Sequence, residues 1–85
     1  MKIIQITSPW CMSCIIMHQR MDEIKEEFDL NIETLDFDED DVSKYSPGNI
    51  LPVHIIIKGQ KEVERLVGEV SLKKLRKVFK QYETI

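Results

Sequence analysis

Four short segments of the chain carry the apolar pattern of β-strands. The first, Lys2–Thr7 (KIIQIT), is a β-branched run typical of a buried strand. Residues 31–37 (NIETLDF) alternate between apolar and polar positions, and residues 53–57 (VHIII) form another apolar run. A turn sequence containing Gly59 separates this run from residues 62–67 (EVERLV). The pattern therefore predicts four strands, with a hairpin between the last two.

A period of 3.6 residues, typical of amphipathic helices, is present in two further segments. Residues 11–28 show it, and so does the C-terminal segment, where Ser71 can cap a helix. The apolar positions are Cys14, Met17, Met21, Ile24 and Phe28 in the first segment and Leu72, Leu75, Phe79 and Tyr82 in the second. Residues 38–46, acidic at their start, predict a shorter helix between them.

The predicted order of elements is βαβαββα, which defines an α/β fold. The strand–helix–strand unit at the start implies a right-handed crossover between two parallel strands. The turn at Gly59 implies an antiparallel hairpin. We therefore expect a four-stranded mixed sheet with helices on both faces, formed by residues 1–85 as a single domain that buries roughly 60–65% of its surface.

Composition and charge exclude several classes of protein. With 42% hydrophobic and 32% charged residues, the chain is typical of soluble globular proteins. A net charge of -3 without a basic stripe gives no basis for nucleic acid binding. No run approaches the ~20 apolar residues of a membrane helix, and the first residues lack the apolar core of a secretion signal. We expect a monomer in the reducing environment of the cytoplasm.

The two cysteines of the chain lie in the sequence Trp10-Cys11-Met12-Ser13-Cys14. At a helix start, residues three apart bring their Cβ atoms to roughly 5–6 Å, and a disulfide needs Cα atoms ~4.4–6.8 Å apart. Thiols near helix N-termini have pKa values of roughly 3.5–7.5, against ~8.5 for a free thiol. We therefore predict that Cys11 is the nucleophile of a reversible dithiol and that Cys14 is the resolving thiol.

Two other interpretations of the cysteines stay open. Both could be small core residues. Alternatively, Cys11, Cys14, His18 and His54 could be the four ligands of a structural zinc site, although their spacing matches no short zinc module. A haem attachment motif is excluded, because Ile15 stands where that motif requires a histidine.

Motifs spread over nearly the whole chain resemble those of the thioredoxin family. In chain order they are Trp10-Cys11-x-x-Cys14, Met21-Asp22-Glu23-Ile24-x-x-Glu27-Phe28, Leu35-Asp36-Phe37-Asp38, Lys44-Tyr45, Ile50-Leu51-Pro52, Lys58-Gly59 and Val67-Gly68-x-x-Ser71-x-x-x-Leu75. Their shared order is far more specific than the cysteine pair alone. The resemblance implies a thioredoxin fold of glutaredoxin size that exchanges dithiol for disulfide.

The resemblance also implies roles for residues outside the cysteine pair. Pro52 is expected to form a cis bond beside the cysteines, and its neighbour Leu51 to present backbone groups to an extended substrate. Trp10 is expected to border the reactive sulfur, and Gly68 to belong to the same substrate-binding set. Taken without the resemblance, Pro52 would also suit the start of an ordinary strand.

The sequence departs from the family pattern at two polar positions behind the cysteines. The family's buried acid on the first strand falls on Gln5, and its lysine on the next strand falls on Thr34. Neither side chain takes up a proton at neutral pH. The candidates for a proton path at Cys14 are therefore water, His18 one helical turn further on, and Gln5 through its hydrogen bonds. The alternative for His18 is a partly exposed place on the helix surface.

Residues around the cysteines bear on the reduction potential, on glutathione binding and on the docking of a protein substrate. Met12-Ser13 stands where thioredoxins usually have Gly-Pro and glutaredoxins Pro-Tyr, so no reduction potential is predicted. Gly68-Glu69 replaces the glycine pair of glutaredoxins, which argues against glutathione binding. Four apolar residues could form a rim for docking a protein disulfide, or could pack under a loop. They are Trp10, Met12, Ile15 and Ile16.

The sequence as a whole predicts a thiol–disulfide oxidoreductase that reduces protein disulfides through Cys11 and Cys14, with neither cofactor nor metal. The expected partners are disulfide-containing proteins and a thioredoxin-reductase-like or other dithiol donor. Two alternatives stay open. One is a non-catalytic binding module of the same fold with a Cys/His zinc site, and the other is a dedicated electron donor to a single enzyme, such as a ribonucleotide reductase.

Overall fold

The structure is a computed structural model that describes residues 1–83, so residues 84 and 85 of the expected domain lie outside the described part. The elements are β1 (Lys2–Thr7), α1 (Met12–Ile24), β2 (Asn31–Asp36), a 3₁₀ turn (Ser43–Tyr45), β3 (Val53–Lys58), β4 (Lys61–Val67) and α2 (Leu72–Glu83). The strands form one sheet in the order β2-β1-β3-β4. β1 and β2 are parallel, and the other pairs are antiparallel. The predicted four-stranded mixed sheet is confirmed.

The sheet separates two apolar clusters, because successive side chains of a strand point to opposite faces. On one face, Ile3 and Ile56 pack with the buried residues of α1 and α2. On the other face, Ile4 and Ile55 pack beneath the segment that contains the 3₁₀ turn, which contributes Val42, Tyr45 and Leu51. Helical turns therefore cover both faces as expected, but the two α-helices share one face.

The predicted helix over residues 38–46 is wrong for most of its length. Oδ1 of Asp36 accepts hydrogen bonds from the backbone N–H groups two and three residues further on, at 2.8 and 3.0 Å. Asp41 accepts the N–H of Ser43 at 3.1 Å. These carboxylates bind the N–H groups of local turns, which compete with helix formation. Only Ser43–Tyr45 winds into a single 3₁₀ turn.

The sequence predicted that α1 ends at residue 28, but the regular part of the helix ends one turn earlier, at Ile24. The chain leaves the helix through a bond from the N–H of Leu30 to the carbonyl of Lys25 at 3.0 Å, with Asp29 in the left-handed region at φ 51°. This arrangement is a Schellman motif, which terminates helices. Phe28 still packs against Phe79 of α2, with ring centroids 5.8 Å apart, so its predicted contribution to the core is retained.

The second helix begins where the sequence predicted. Oγ of Ser71 accepts the N–H of Lys74 at 3.2 Å, which is an N-cap hydrogen bond. Leu75, Val78 and Phe79 are the buried residues of this helix. Among the described residues, neither α-helix has the length and apolar character needed to cross a membrane.

Candidate active site

Cys11 and Cys14 lie at the point where the loop after β1 becomes helix α1. Cys11 is the N-cap residue, and its Sγ accepts the backbone N–H of Cys14 at 3.2 Å. Both thiols are free, and Cys11 is 9% exposed whereas Cys14 is 1% exposed. The N–H donor and the positive end of the helix both stabilise negative charge on the Cys11 sulfur. The sulfur nearer to solvent is therefore also the one better placed to attack.

Cys14 lies one turn inside the helix, in a less polar setting. Burial raises the pKa of the Cys14 thiol, and its hydrogen bond with Cys11 raises this pKa further. Hydrogen bonds with the Thr7 side chain and the Ser8 backbone lower the pKa of Cys14 and oppose those two effects. Cys14 therefore holds its proton more tightly than an ordinary thiol, which suits a group that attacks second.

The loop before β3 approaches Cys11 from the opposite side. The Leu51–Pro52 peptide bond is cis, and the thiol of Cys11 donates a hydrogen bond to the carbonyl of Leu51 at 3.7 Å. The N–H of Gly68 donates to the carbonyl of Pro52 at 2.8 Å and holds the end of β4 against this loop. The structure thus brings Leu51, Pro52 and Gly68, three of the nominated substrate-binding residues, together beside the cysteine pair.

Trp10, the fourth nominated residue, precedes Cys11 and is 64% exposed. Its indole Nε1–H donates to Oδ2 of Asp38 at 2.7 Å, which fixes the ring outside the core. Sequence reasoning included Asp38 in a family motif but did not predict its contact with Trp10, because a contact between residues so far apart in the chain leaves no local pattern.

Several large apolar side chains are exposed near Trp10 and the loop before β3. Met12 and Ile15 were part of the predicted rim and are exposed, whereas Ile16 is half-buried. Ile50 and Val67 are exposed as well, and sequence reasoning did not include them. Each flanks a nominated residue in the sequence, and that proximity was the available signal. Together these residues give the surface around Cys11 an apolar character.

A chain of neutral polar groups lies in the core behind the cysteines. Oγ1 of Thr34 donates to Oε1 of Gln5 at 2.9 Å, and the Gln5 amide nitrogen lies 2.9 Å from Nε2 of His54. His54 is fully buried, and this burial, with a smaller effect of nearby His18, lowers its pKa to about 4. Gln5 and Thr34, which replace the family's acid and lysine, are therefore joined by a hydrogen bond and linked to a neutral histidine.

His18 makes a different contact. Its Nε2 lies 3.2 Å from Oγ1 of Thr7, the last residue of β1. His18 is half-buried and lines a cavity of about 410 Å³ between α1 and β2. Sequence reasoning nominated His18 but missed Thr7. The signal was the alternation of β1, which puts Thr7 on the same face as Gln5.

The structure does not bring the four candidate zinc ligands together. Within residues 1–83, no group of three or more Cys, His, Asp or Glu side chains is placed to hold a metal ion. His54 is hydrogen-bonded to Gln5, and His18 is hydrogen-bonded to Thr7. The geometry therefore gives no support to the zinc alternative.

Comparison with known families agrees with this geometry. The family model for thioredoxin matches residues 1–81. The chain therefore belongs to the thioredoxin family. The family and the fold together support thiol–disulfide exchange as the general class of activity. No curated protein matches the chain.

Solved structures show the same fold at low sequence identity. Thioredoxin-2 of a malaria parasite superposes with a TM-score of 0.85 at 21% identity, covering 95% of this chain and 82% of that one. Thioredoxin 1 of Thermosipho africanus gives 0.82 at 24% identity, covering 96% and 93%. Fasciola hepatica thioredoxin gives 0.82 at 24% identity, covering 95% and 79%. These similarities establish the thioredoxin fold of the chain.

Proposed function

We propose that this protein reduces disulfide bonds in other proteins, with Cys11 as the attacking thiolate and Cys14 as the resolving thiol. The observation that carries the proposal is the hydrogen bond from the Cys14 N–H to the Cys11 sulfur at the start of α1. It stabilises the attacking sulfur and keeps the second thiol one helical turn away. Only sulfur chemistry is needed, so the reaction requires no organic cofactor.

The reaction consists of two thiol–disulfide exchanges. The Cys11 thiolate attacks one sulfur of the substrate disulfide, and the other substrate sulfur leaves with the electron pair of the broken bond. Cys14 then loses its proton and attacks the Cys11 sulfur. The second substrate sulfur leaves as a thiolate, and a Cys11–Cys14 disulfide remains. The substrate has gained two electrons from the dithiol.

The surroundings of Cys11 support a protein as the substrate. Trp10, Met12 and Ile50 expose apolar surface on the site's outer face, which favours contact with a folded or extended polypeptide. The segment containing Leu51 and Pro52 lies against the Cys11 sulfur, where a bound chain would meet backbone groups of this loop. We assign the substrate-binding role to this loop together with Trp10 and Gly68.

Turnover requires an external source of electrons. A thioredoxin-reductase-like enzyme or another dithiol would reduce the Cys11–Cys14 bond by the reverse exchange. We propose that the protein acts in the cytoplasm, because a reducing compartment drives the net reaction toward reduction of substrate disulfides. We also propose that it acts as a monomer. The low overall charge and the apolar site surface favour protein partners over nucleic acid or membrane.

The proposal is tested by reduction of insulin with dithiothreitol as the electron source. Wild-type protein is expected to accelerate the reaction over dithiothreitol alone, and Cys11→Ser is expected to give no acceleration. The urea unfolding midpoint of Cys11→Ser is compared with that of the wild type, so that a loss of activity can be assigned to chemistry. Absence of acceleration by the wild type, or full acceleration by Cys11→Ser, would overturn the proposal.

A further inference from the structure

Two carboxylates from different loops lie beside the cysteine pair. Oδ2 of Asp38, in the loop after β2, accepts the indole N–H of Trp10 at 2.7 Å. Oε1 of Glu69, in the loop after β4, accepts the hydroxyl of Ser13 at 3.3 Å. Trp10 and Ser13 are the residues that directly precede the two cysteines. Each acid is therefore fixed next to one end of the motif that contains the reactive sulfurs.

Both carboxylates remain open to a partner. Asp38 and Glu69 are exposed. Nη2 of Arg20 lies 3.9 Å from Oε2 of Glu69, and the same guanidinium donates a shorter hydrogen bond of 2.9 Å to the carbonyl of Val70. An ion pair this long between exposed groups is weak. Glu69 therefore keeps a carboxylate oxygen that a cation from another molecule can contact.

The loop after β2 adds further negative charge near Trp10. Residues 36–41 (DFDEDD) contain five acids and no base. The sequence placed these acids at the start of a helix, where the positive end of the helix would offset their charge. No α-helix forms there, and five of the 12 lysines and arginines of the chain lie on α2 instead. The charge of this loop is therefore available to attract a partner.

We propose that this protein prefers disulfides of polypeptides that carry lysine or arginine within two residues of the attacked cysteine, and that Asp38 and Glu69 determine this preference. The inference rests on the function proposed above, because it names the class of substrate for that reaction. Trp10, Met12 and Ile50 supply apolar contact with the polypeptide. The two carboxylates attract its bases and repel competitors of like charge.

The arrangement of Trp10 suits a cationic side chain in two ways. The indole is 64% exposed, so its face can contact an ammonium or guanidinium group. Its N–H is bound to Asp38, so a cation over the ring also lies near a carboxylate. Glu69 comes from a different loop. A chain that crosses the site can therefore place a base before its cysteine near one acid and a base after it near the other.

The test compares three peptides that differ only in charge. Each contains one cysteine as a mixed disulfide with 2-thiopyridine, flanked on both sides by lysine, by glutamine or by glutamate. Attack by Cys11 joins its sulfur to the peptide sulfur, and thiopyridone leaves with the electron pair of the broken bond. Its absorbance gives the second-order rate constant. Each rate is divided by that of dithiothreitol with the same peptide, because flanking charge also alters intrinsic reactivity.

The corrected rates should rank lysine above glutamine above glutamate. At low salt, the lysine peptide should react roughly ten-fold faster than the glutamate peptide. In ~1 M sodium chloride, where the Debye length is ~3 Å, most of this ratio should disappear. Glu69→Gln and Asp38→Asn keep the acceptor oxygens for Ser13 and Trp10 but remove the charge. Each should lower the ratio by about two- to three-fold, and the double variant by about the product.

A matched variant separates these two acids from the overall charge of the protein. Glu33→Gln removes one exposed carboxylate from the edge strand β2 and should keep the wild-type ratio. Equal corrected rates for the three peptides in the wild type overturn the inference and leave the proposed function standing. A ratio that stays unchanged in both Glu69→Gln and Asp38→Asn, or falls as far in Glu33→Gln, overturns it as well. A wild type that releases thiopyridone from none of the peptides overturns the proposed function itself.

Discussion

The backbone N–H of Cys14 donates a hydrogen bond to Sγ of Cys11 across 3.2 Å at the first turn of α1. This contact joins the two cysteines, whose surroundings have opposite effects on a negative charge at sulfur. The sulfur of Cys11 lies at the positive end of the helix. The sulfur of Cys14 lies in the interior, where burial raises its pKa. We therefore expect Cys11 to attack first and Cys14 second.

That order predicts which single-cysteine variant retains a substrate. Cys14→Ser should capture a disulfide-bearing peptide on Cys11 and hold it as a stable mixed disulfide, because no second thiol is present to release it. Cys11→Ser should capture little peptide, since Cys14 is only 1% exposed. Intact-mass spectrometry under non-reducing conditions measures both adducts. Equal adduct yields from the two variants would contradict the assigned roles.

The bond between Trp10 and Asp38 predicts a local change in ring mobility. Trp10 is the single tryptophan of the chain, so its fluorescence anisotropy reports on the active-site surface. Asp38→Ala removes the 2.7 Å partner of the indole and should lower the anisotropy, while Asp38→Asn keeps an acceptor oxygen and should preserve most of it. Glu39→Ala, one residue further on, is the control. A fall of the same size in Glu39→Ala would show that the bond does not fix the ring.

Replacing Gly68 by alanine should reduce both stability and activity. The same replacement at Gly59 should reduce stability alone and is therefore the control. Gly68 and Gly59 both have positive φ, at 79° and 59°. Alanine at either position should cost roughly 1–2 kcal/mol of unfolding free energy, because L-residues disfavour this conformation. Alanine keeps the N–H that binds the Pro52 carbonyl, but the backbone shift that relieves its positive φ would move the loop containing Leu51 and Pro52, whereas Gly59 lies in the β3–β4 turn. Urea unfolding should show similar losses, and insulin reduction should slow only in Gly68→Ala; equal slowing in Gly59→Ala would contradict the account.

His54 predicts a loss of stability in mild acid. Its pKa is lowered to about 4 in the folded state, against 6.5 for the ordinary side chain, so the unfolded chain takes up this proton first. The resulting stability is fully present above pH 6.5 and is lost as the pH falls toward 4. The expected loss between pH 7 and pH 5 is about 2 kcal/mol.

Urea unfolding at the two pH values measures this effect. His54→Asn keeps a neutral amide beside Gln5 and should show a much smaller difference between pH 7 and pH 5, whatever its absolute stability. His18→Gln is the matched control, because it removes the other histidine and should keep most of the wild-type difference, since burial is the larger cause of the lowered pKa of His54. A His54→Asn variant that loses as much stability in acid as the wild type would rule out His54 as the cause.

The strands and the cysteine pair could be predicted from the sequence because their signals are local. Lys2–Thr7 is a continuous β-branched run, and the structure gives β1 the same bounds. The helix over residues 38–46 could not be predicted correctly, because the aspartates there bind backbone N–H groups of turns instead of extending a helix. Composition alone does not distinguish these two uses of an acidic segment.

The polar partners behind the site depend on strand register, which the sequence does not specify. Gln5 meets His54 because β1 and β3 pair antiparallel with these residues opposite each other. It meets Thr34 through the parallel pairing with β2. Thr7 was accessible to sequence reasoning through strand alternation, but its contact with His18 depends on how α1 packs over the sheet.

The most direct test of the account is the rate at which iodoacetamide alkylates Cys11 as a function of pH, followed by peptide mapping of the reduced protein. If the start of α1 stabilises the thiolate, Cys11 of the folded protein should be alkylated faster at pH 7 than Cys11 of the same protein unfolded in urea. The same protein unfolded in urea is the control, and its rate should rise about ten-fold per pH unit below ~8.5, as for a free thiol. A folded protein whose profile coincides with the unfolded one would contradict the central claim.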